Sequence, residues 1–377
     1  MKINIITCAF SCLPPIGIGA VEKLWYDLAL EFAKKGHDVV FYAKQEKSSP
    51  KSPFSEVDNL QIVYLRGYRR PKSMILDTVL DCEYSFRALI KMAKCDILVC
   101  NTKISPLLAE FFRYKFICSV YNVARVPKGQ FGLLLKVDRL ASCSTMITNE
   151  VLKQTPKCIH NIKTINNPVN LKAFTFKQKK INKENVKIIF TGRIHPEKGL
   201  LNLAKAVSML VDEYPNIKLV LVGTYEIKKG GGGISYVEEI KRNLGTTNLI
   251  IEEALASPFE LAKKIQNADI YCYPPIPTTG DAMPCAPLEA MATGTPIIVS
   301  DLPCFDDYVD EENGVRFNVH SNVVENLKNA LKLLIEDDDF REKIALNGMK
   351  RAKSFSNEKI ANSYLTDFKE LLAKKNR

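Results

Sequence analysis

Gly280–Asp301 reads GDAMPCAPLEAMATGTPIIVSD, and this stretch says most about both the fold and the chemistry. Asp281 and Glu289 are eight positions apart, with two prolines between them. Pro287 suits the first turn of a helix, because its missing N–H would be unpaired there anyway. Gly294 is typical of a helix end, and the PIIVS that follows is typical of a buried strand. The stretch therefore predicts a loop that carries Asp281, a helix with Glu289 in its first turns, and then a strand.

A helix that begins between these two acids predicts an anion site. The first N–H groups of a helix have no partner within the helix, and they favour an anionic ligand at that end. Glu289 by itself could do no more than stabilise the helix dipole. That alternative explains neither Asp281 nor the two prolines, so the sequence favours a ligand site.

Short apolar runs alternate with amphipathic helical patterns, first over residues 1–166 and again from residue 186. Such alternation is typical of parallel sheets covered by helices on both faces. Ranges 143–148 and 162–166 are predicted as the last strands of the first series, and the chain from about 321 onward reads as helical. The fold class predicted is α/β, with two doubly wound, Rossmann-like domains.

A polar, lysine-rich segment, LKAFTFKQKKINKEN, separates the two series. The predicted domains are a first Rossmann-like domain over 1–172 and a second Rossmann-like domain over 173–350. The amphipathic helix within 351–377 is expected to pack back on the first domain. Ligands of doubly wound sheets bind at the carboxyl ends of the strands, so we expect the site in a cleft between the two domains.

Positive charge is concentrated in the first half of the chain. Residues 1–170 hold 24 Lys and Arg against 14 Asp and Glu, whereas the whole chain has a net charge of +11. An anionic partner such as a membrane surface would suit this half; a merely solvated basic surface is the alternative. The basic residues lack the interleaved aromatics of a nucleic-acid platform, so nucleic acid is not expected as a partner. Two clusters stand out, Arg66, Arg69, Arg70, Lys72 and Arg113, Lys115.

The eleven cysteines form no CxxC pair and lie mostly in apolar surroundings. Reduced thiols in a cytoplasmic protein are the expectation, without a cofactor or a metal site. No apolar run approaches the length of a membrane span. We therefore expect a cytoplasmic protein that is able to associate peripherally with the inner face of the membrane.

Two glycine-containing turns follow predicted strands. The strand at 186–191 continues into TGRIHPEKG, where Arg193 offers a planar fork of donors and Lys198 offers a point charge for a phosphate group. Each could instead be an ordinary interface or surface cation. The turn after the first strand holds Gly17 and Gly19, which would let backbone approach a ligand closely.

These motifs together resemble the retaining, nucleotide-sugar-dependent glycosyltransferases of the GT-B fold, of the family-four type. That group includes lipopolysaccharide, capsule and phosphatidylinositol mannosyltransferases. The resemblance covers nearly the whole chain. It rests on PIGIGAVEKLWYDLALEFAKKGHDV, INNPVNLKAF, FTGRIHPEKG and, most specifically, DAMPCAPLEAMATGTPIIVSD.

The resemblance implies that the domain over 1–172 is the acceptor side and that the domain over 173–350 binds the nucleotide-sugar, and it implies a role for each matching residue. Arg193 and Lys198 would hold the donor diphosphate and stabilise the leaving group, in place of a metal ion. Asp281 would face the donor sugar, and Glu289 would accept hydrogen bonds from the ribose. The backbone of the intervening segment would contact sugar or phosphate, and the first-domain glycines would close on phosphates and acceptor. The remaining donor-side residues implied are Met283, Pro284, Cys285, Gly17 and Gly19.

The chain departs from the family pattern at two positions. Asp281 stands where glutamate is usual, and Asn122 stands where many relatives have a histidine near the donor sugar. The reaction implied is sugar transfer from a UDP- or GDP-sugar to a glycan or lipid-linked acceptor, in the synthesis of cell-surface polysaccharide or glycoconjugate. Two alternatives stay open: a nucleotide-sugar epimerase or hydrolase of the same fold, and a non-catalytic nucleotide-sugar-binding relative.

Overall fold

A computed structural model of the protein describes residues 1–10, 12–13, 20–45, 57–125, 131–178, 181–277 and 280–375. The chain divides into two compact units. The first unit consists of Met1–Pro168 with Asn357–Arg377, and the second of Val169–Ser356.

The first unit is built on a seven-stranded sheet in which every neighbouring pair is parallel. Its strands are β1 (Lys2–Ile6), β2 (Asp38–Lys44), β3 (Leu60–Leu65), β4 (Cys95–Cys100), β5 (Phe116–Val123), β6 (Arg139–Ser142) and β7 (Ile162–Thr164). The order β3-β2-β1-β4-β5-β6-β7 reverses its winding between β1 and β4. A ligand site is expected at the carboxyl ends of those two strands.

Helices cover this sheet because its strands are apolar on both faces. They are α1 (Ala20–Lys34), α2 (Met74–Lys91), α3 (Ser105–Ala109), α4 (Thr145–Gln154) and α11 (Asn357–Lys375), with short 3-10 segments at Glu110–Lys115, Phe131–Leu134 and Pro156–His160. Ile5 at the middle of β1 pairs with Phe41 on one side and Val99 on the other, and all three are fully buried.

The C-terminal helix packs on the first unit, as predicted. The ring of Tyr364 lies 5.0 Å from Trp25, and Phe368 lies 5.9 Å from Phe32. Asp367, on the same helix, is fully buried and receives two hydrogen bonds of 2.9 Å from the guanidinium of Arg139. Aromatic packing and a buried ion pair therefore hold α11 to this unit.

The second unit has a six-stranded parallel sheet in the order β10-β9-β8-β11-β12-β13. Its strands are β8 (Lys187–Thr191), β9 (Lys218–Val222), β10 (Leu249–Glu252), β11 (Ile270–Tyr273), β12 (Ile297–Ser300) and β13 (Val315–Phe317). Its helices are α5 (Leu200–Ser208), α6 (Ile234–Leu244), α7 (Pro258–Gln266), α8 (Cys285–Thr293), α9 (Val323–Glu336) and α10 (Asp338–Ala352), with 3-10 turns at Pro196–Lys198, Ile227–Lys229, Pro303–Phe305 and Lys353–Phe355. The winding here reverses between β8 and β11, and the predicted α/β class with two doubly wound sheets is confirmed.

Two details of the predicted elements are wrong. Range 143–148 is not a strand, because the Ser144 hydroxyl accepts a hydrogen bond from the Ile147 N–H and so caps the start of α4. Strand β13 was not predicted, since three residues are too few to show an alternating pattern. In the acidic run at 336–339, Asp337 caps the start of α10 by accepting a hydrogen bond from the Phe340 N–H.

Candidate active site

The turn after β8 carries both predicted phosphate-side cations. After Arg193, His195 begins a 3-10 turn, and its Nδ1 accepts from the Glu197 N–H at 3.3 Å. Gly199 ends the turn with φ of +68°, and a Cβ there would stand 1.9 Å from the Pro274 carbonyl oxygen. Only glycine fits this close approach, which packs the start of α5 against the chain that leaves β11. The turn thereby holds Lys198 at the point where the sheet reverses its winding.

Lys198 and Asp281 form a buried ion pair. The Lys198 ammonium lies 2.7 Å from each carboxylate oxygen of Asp281, and the lysine is only 5% exposed. Tyr273, at the end of β11, donates its hydroxyl to the same carboxylate at 3.1 Å, and its ring lies 5.3 Å from the ammonium. Burial, and then the charge of Asp281, raise the pKa of Tyr273 well above its ordinary value, so the phenol remains a donor.

Arg193 lies beside this pair on the same turn. Its guanidinium donates to the Glu197 carboxylate at 2.5 Å and to the Gly230 carbonyl at 2.8 Å. The same carboxylate oxygen of Glu197 is 3.7 Å from the Lys198 ammonium. One acid thus contacts both cations, which keeps two positive groups close together.

Glu289 lies on α8, next to Tyr271 of β11. Its charge, after burial, contributes to the raised pKa of Tyr271, whose hydroxyl bonds to the Thr191 hydroxyl at 2.9 Å. Tyr271 and Tyr273 are two residues apart on one strand and so face the same side of the sheet. Through these tyrosines Glu289 belongs to the same end of the sheet as Asp281 and the two cations.

The segment between the two acids is held by backbone contacts. Met283 is buried, and the Pro284 carbonyl accepts from the Tyr308 hydroxyl at 2.7 Å. Helix α8 begins at Cys285, which places Pro287 in its first turn, and Gly294 ends it with φ of +80°, both as predicted. The predicted donor-side residues of the second unit therefore lie together at the carboxyl end of its sheet.

In the first unit, Asn122 lies near the end of β5 and donates its side-chain amide to the Asn101 Oδ1 at 3.0 Å. Asn101 directly follows β4 and was not predicted as a site residue. Its Nδ2 is buried without a hydrogen-bond partner in the described part of the chain. Its position after a buried strand at the winding reversal is the signal that could have found it. Gly17 and Gly19 lie outside the described residues.

Asp81 of α2 is a second buried polar group close to these strand ends. It sits beside the Thr102 hydroxyl and the Ile104 N–H, and one carboxylate oxygen has no partner among the described residues. Burial raises the pKa of this carboxyl to about 6. In the folded protein this carboxyl therefore stays protonated to a higher pH than an exposed aspartate does.

Replacing Asp81 with asparagine is expected to stabilise the first unit more at pH 7.5 than at pH 4.5. Because the folded pKa is raised to about 6 from 3.8, the folded state binds more protons than the unfolded chain between these values. Stability is therefore greatest below this window and falls as pH rises through it, by at most about 3 kcal/mol. Thermal unfolding followed by Trp25 fluorescence at both pH values measures the effect. Asp77→Asn on the same helix is the control, and an equal gain for Asp81→Asn at both pH values would contradict the assignment.

Membrane-spanning helices and metal clusters are both absent from the described ranges. No helix in them is long and apolar enough to cross a membrane. The same ranges contain no group of three or more His, Cys, Asp or Glu side chains arranged to hold a metal ion.

The part of the chain that carries this site is similar to a known protein family. Residues 172–351 match the family described as glycosyl transferases group 1. An uncharacterized glycosyltransferase of Methanocaldococcus jannaschii is 23% identical over 406 aligned positions, which span 98% of each chain. The matched family segment contains the whole cluster of cations and acids at the end of β8 and β11.

Solved structures share the architecture of the entire chain. Sucrose-phosphate synthase of Thermosynechococcus elongatus is similar with a TM-score of 0.81 and 17% identity, covering 99% of this chain and 100% of that one. Anabaena HepE, solved in complex with UDP-glucose, is similar with a TM-score of 0.73 and 15% identity, covering 99% and 100%. These likenesses, at low identity, concern the fold. The fold is therefore that of the GT-B structures, and the match of residues 172–351 to the glycosyl transferases group 1 family supports a glycosyltransferase.

Proposed function

We propose that the protein transfers a sugar from a nucleotide-sugar donor, UDP- or GDP-linked, to a hydroxyl of a glycan or lipid-linked acceptor, with retention of anomeric configuration and without a metal ion. The observation that carries the proposal is the pairing of Arg193 and Lys198 on one turn at the winding reversal of the second sheet. UDP-glucose bound to a structural neighbour supports a donor of this class.

Lys198 can serve a diphosphate without first losing Asp281. An ammonium has three N–H donors, and the two oxygens of Asp281 engage at most two of them. The remaining donor, with the guanidinium of Arg193, is available for phosphate oxygens. As the glycosidic bond breaks, negative charge grows on the leaving diphosphate, and two fixed cations in a partly buried site stabilise it.

The other donor-side roles follow from position in the second unit. We assign Glu289 to the ribose hydroxyls, because a half-buried carboxylate in the middle of α8 is a strong acceptor for O–H groups. We assign Asp281 to the donor sugar as well as to Lys198. Backbone groups of Met283, Pro284 and Cys285 would contact sugar or phosphate, next to the first turn of the helix.

The first unit is assigned to the acceptor and the sugar side. Asn122, oriented by Asn101, offers amide donors and acceptors that suit a polyhydroxyl group. We assign Gly17 and Gly19 to close approach of the backbone to the phosphates and the acceptor. The basic charge of this half fits an anionic, lipid-linked acceptor used in the synthesis of cell-surface polysaccharide, with the enzyme peripheral on the inner face of the membrane.

A panel of UDP-, GDP- and ADP-sugars tests the donor. A true donor is expected to raise the thermal unfolding temperature, because a ligand that binds only the folded protein stabilises it. Arg193→Ala should remove the shift, whereas Arg242→Ala, an exposed arginine of α6, should keep it. Absence of binding and turnover across the panel would end the proposal.

Product analysis separates the alternatives. Transfer to acceptor with an unchanged anomeric configuration in the NMR spectrum supports retention. Release of free sugar, or an altered sugar on the nucleotide, without any acceptor would favour a hydrolase or an epimerase. Tight donor binding with no transfer to any acceptor extract would favour a non-catalytic relative.

A further inference from the structure

Tyr273 is a buried tyrosine at the end of β11, and the proposed reaction gives it no role of its own. Its ring stacks on Phe190 of β8, with centroids 5.5 Å apart and planes inclined by 19°, and it meets Phe305 edge-on at 6.2 Å. Because close-packed aromatic neighbours restrict the ring to one rotamer, its hydroxyl has a fixed position at the carboxyl end of the sheet.

The fixed hydroxyl contacts the acid that we assign to the donor sugar. It donates to Oδ2 of Asp281 at 3.1 Å, and the Lys198 ammonium lies 2.7 Å from each of the two carboxylate oxygens. A carboxylate has about four lone-pair sites, so the three contacts leave about one acceptor site for a sugar hydroxyl. Tyr273 and Lys198 together set the direction of that remaining site.

A second tyrosine fixes the other end of segment 281–284. Phe305 contacts both tyrosines, since its ring centroid lies 6.1 Å from that of Tyr308 and 6.2 Å from that of Tyr273. The Tyr308 hydroxyl donates to the Pro284 carbonyl at 2.7 Å. One aromatic cluster therefore holds this segment at both ends, as a preorganised ligand site requires.

The two partners of Asp281 also limit the space beside its carboxylate. Lys198 is fixed by the turn that ends at Gly199, and the Tyr273 ring is fixed by its aromatic neighbours. Asp281 stands where glutamate is usual, and its side chain is one methylene shorter. A glutamate would extend its carboxylate by one carbon–carbon bond into space that these fixed partners already occupy.

We propose that Tyr273 is a positioning residue for the donor sugar, because its hydroxyl holds the Asp281 carboxylate on Lys198 and directs the remaining acceptor site at one sugar hydroxyl. The hydroxyl fills the space of the missing methylene, so aspartate with tyrosine has about the volume of glutamate with phenylalanine. This role rests on the proposed function, since it needs a nucleotide-sugar as the donor. The nucleotide itself is assigned to Arg193, Lys198 and Glu289, so Tyr273 should affect sugar transfer and not nucleotide binding.

Tyr273→Phe tests this role, because phenylalanine keeps the ring, its stacking on Phe190 and its contact 5.3 Å from the Lys198 ammonium. With the donor found in the nucleotide-sugar panel, kcat is expected to fall about tenfold or more. UDP and GDP, which lack the sugar, should bind as they do to the parent in isothermal titration calorimetry. Tyr214→Phe is the matched control and should keep the parent kcat, since its hydroxyl also donates to a carboxylate, that of Glu336, at 3.1 Å.

Asp281→Glu tests the same contact from the acid side and leaves the aromatic packing intact. By itself this change is expected to lower kcat about tenfold or more, because the longer carboxylate meets the Tyr273 hydroxyl. Adding Tyr273→Phe removes that hydroxyl, so kcat of the double variant should rise about fivefold or more above that of Asp281→Glu. A hydroxyl with only a structural role would instead make the two losses multiply.

The kinetics separate this role from the proposed function. Losses that multiply in the double variant, or a kcat of folded Tyr273→Phe within about twofold of the parent, would overturn the role of Tyr273, while turnover by the parent upholds the proposed function. Weaker binding of UDP or GDP to Tyr273→Phe would also overturn it, since the hydroxyl would then act on the nucleotide. A parent that turns over no donor of the panel would end the proposed function, and the role of Tyr273 with it.

Discussion

Lys198→Ala is expected to lower kcat/KM for the donor by about 10²–10³-fold, mainly through kcat. The ammonium is held 2.7 Å from both oxygens of Asp281 on the turn that also carries Arg193. Its positive charge matters most when the leaving diphosphate gains negative charge, so its loss costs more in the transition state than in the bound donor complex. Steady-state kinetics with the donor found in the nucleotide-sugar panel measures the split between kcat and KM.

Lys198→Ala is also expected to weaken donor binding, and this effect must be separated from the loss of kcat. Without Lys198, the Asp281 carboxylate loses its cation and would repel the diphosphate. Lys198→Met with Asp281→Asn removes both charges, so it should recover donor affinity while kcat stays low. Lys205→Ala, an exposed lysine on α5, should behave as the parent enzyme. Activity of folded Lys198→Ala within about threefold of the parent would remove the ammonium from the proposed mechanism.

The strand order of the sheet explains why the sequence predicted the individual motifs but not the contacts between them. Gly-terminated strands, apolar runs and the cation turn can each be read locally, and these predicted two doubly wound sheets. The Lys198–Asp281 pair joins residues 83 positions apart. It forms because β11 pairs directly with β8, with Ile270 opposite Ile188. Periodicity shows that these strands exist, but not which one lies next to which.

Helix capping and contacts between residues distant in the sequence account for other differences between the predicted and the observed structure. Cys143 to Thr148 contains residues that strands favour, yet one hydroxyl, that of Ser144, satisfies the first turn of a helix instead. The Arg193 contact with the Gly230 carbonyl depends on a glycine turn after another strand. The basic clusters of the first half looked equivalent in sequence, and only the hydrogen bonds of Arg113 and Lys115 separate them.

Asp367→Ala is expected to destabilise the first unit by about 3–5 kcal/mol. The carboxylate is fully buried, accepts both 2.9 Å hydrogen bonds of Arg139 and lies 3.0 Å from the Lys163 ammonium. The alanine would leave the buried guanidinium of Arg139 without this acceptor, and that desolvated charge is the source of the cost. Trp25 packs on Tyr364 of the same helix at 5.0 Å, so its fluorescence during urea unfolding reports whether α11 stays in place.

Glu370→Ala supplies the matched control. Glu370 lies on α11 one turn further, is half exposed, and pairs with the same Lys163 at 3.0 Å. Its removal should cost far less than the removal of Asp367, because water screens an exposed ion pair and solvates the partner left behind. Donor-induced stabilisation of the second unit should survive in both variants, since Arg193, Lys198 and Glu289 belong to Val169–Ser356. Equal costs for the two alanines would mean that burial does not govern this contact, and that aromatic packing alone holds the last helix on α1.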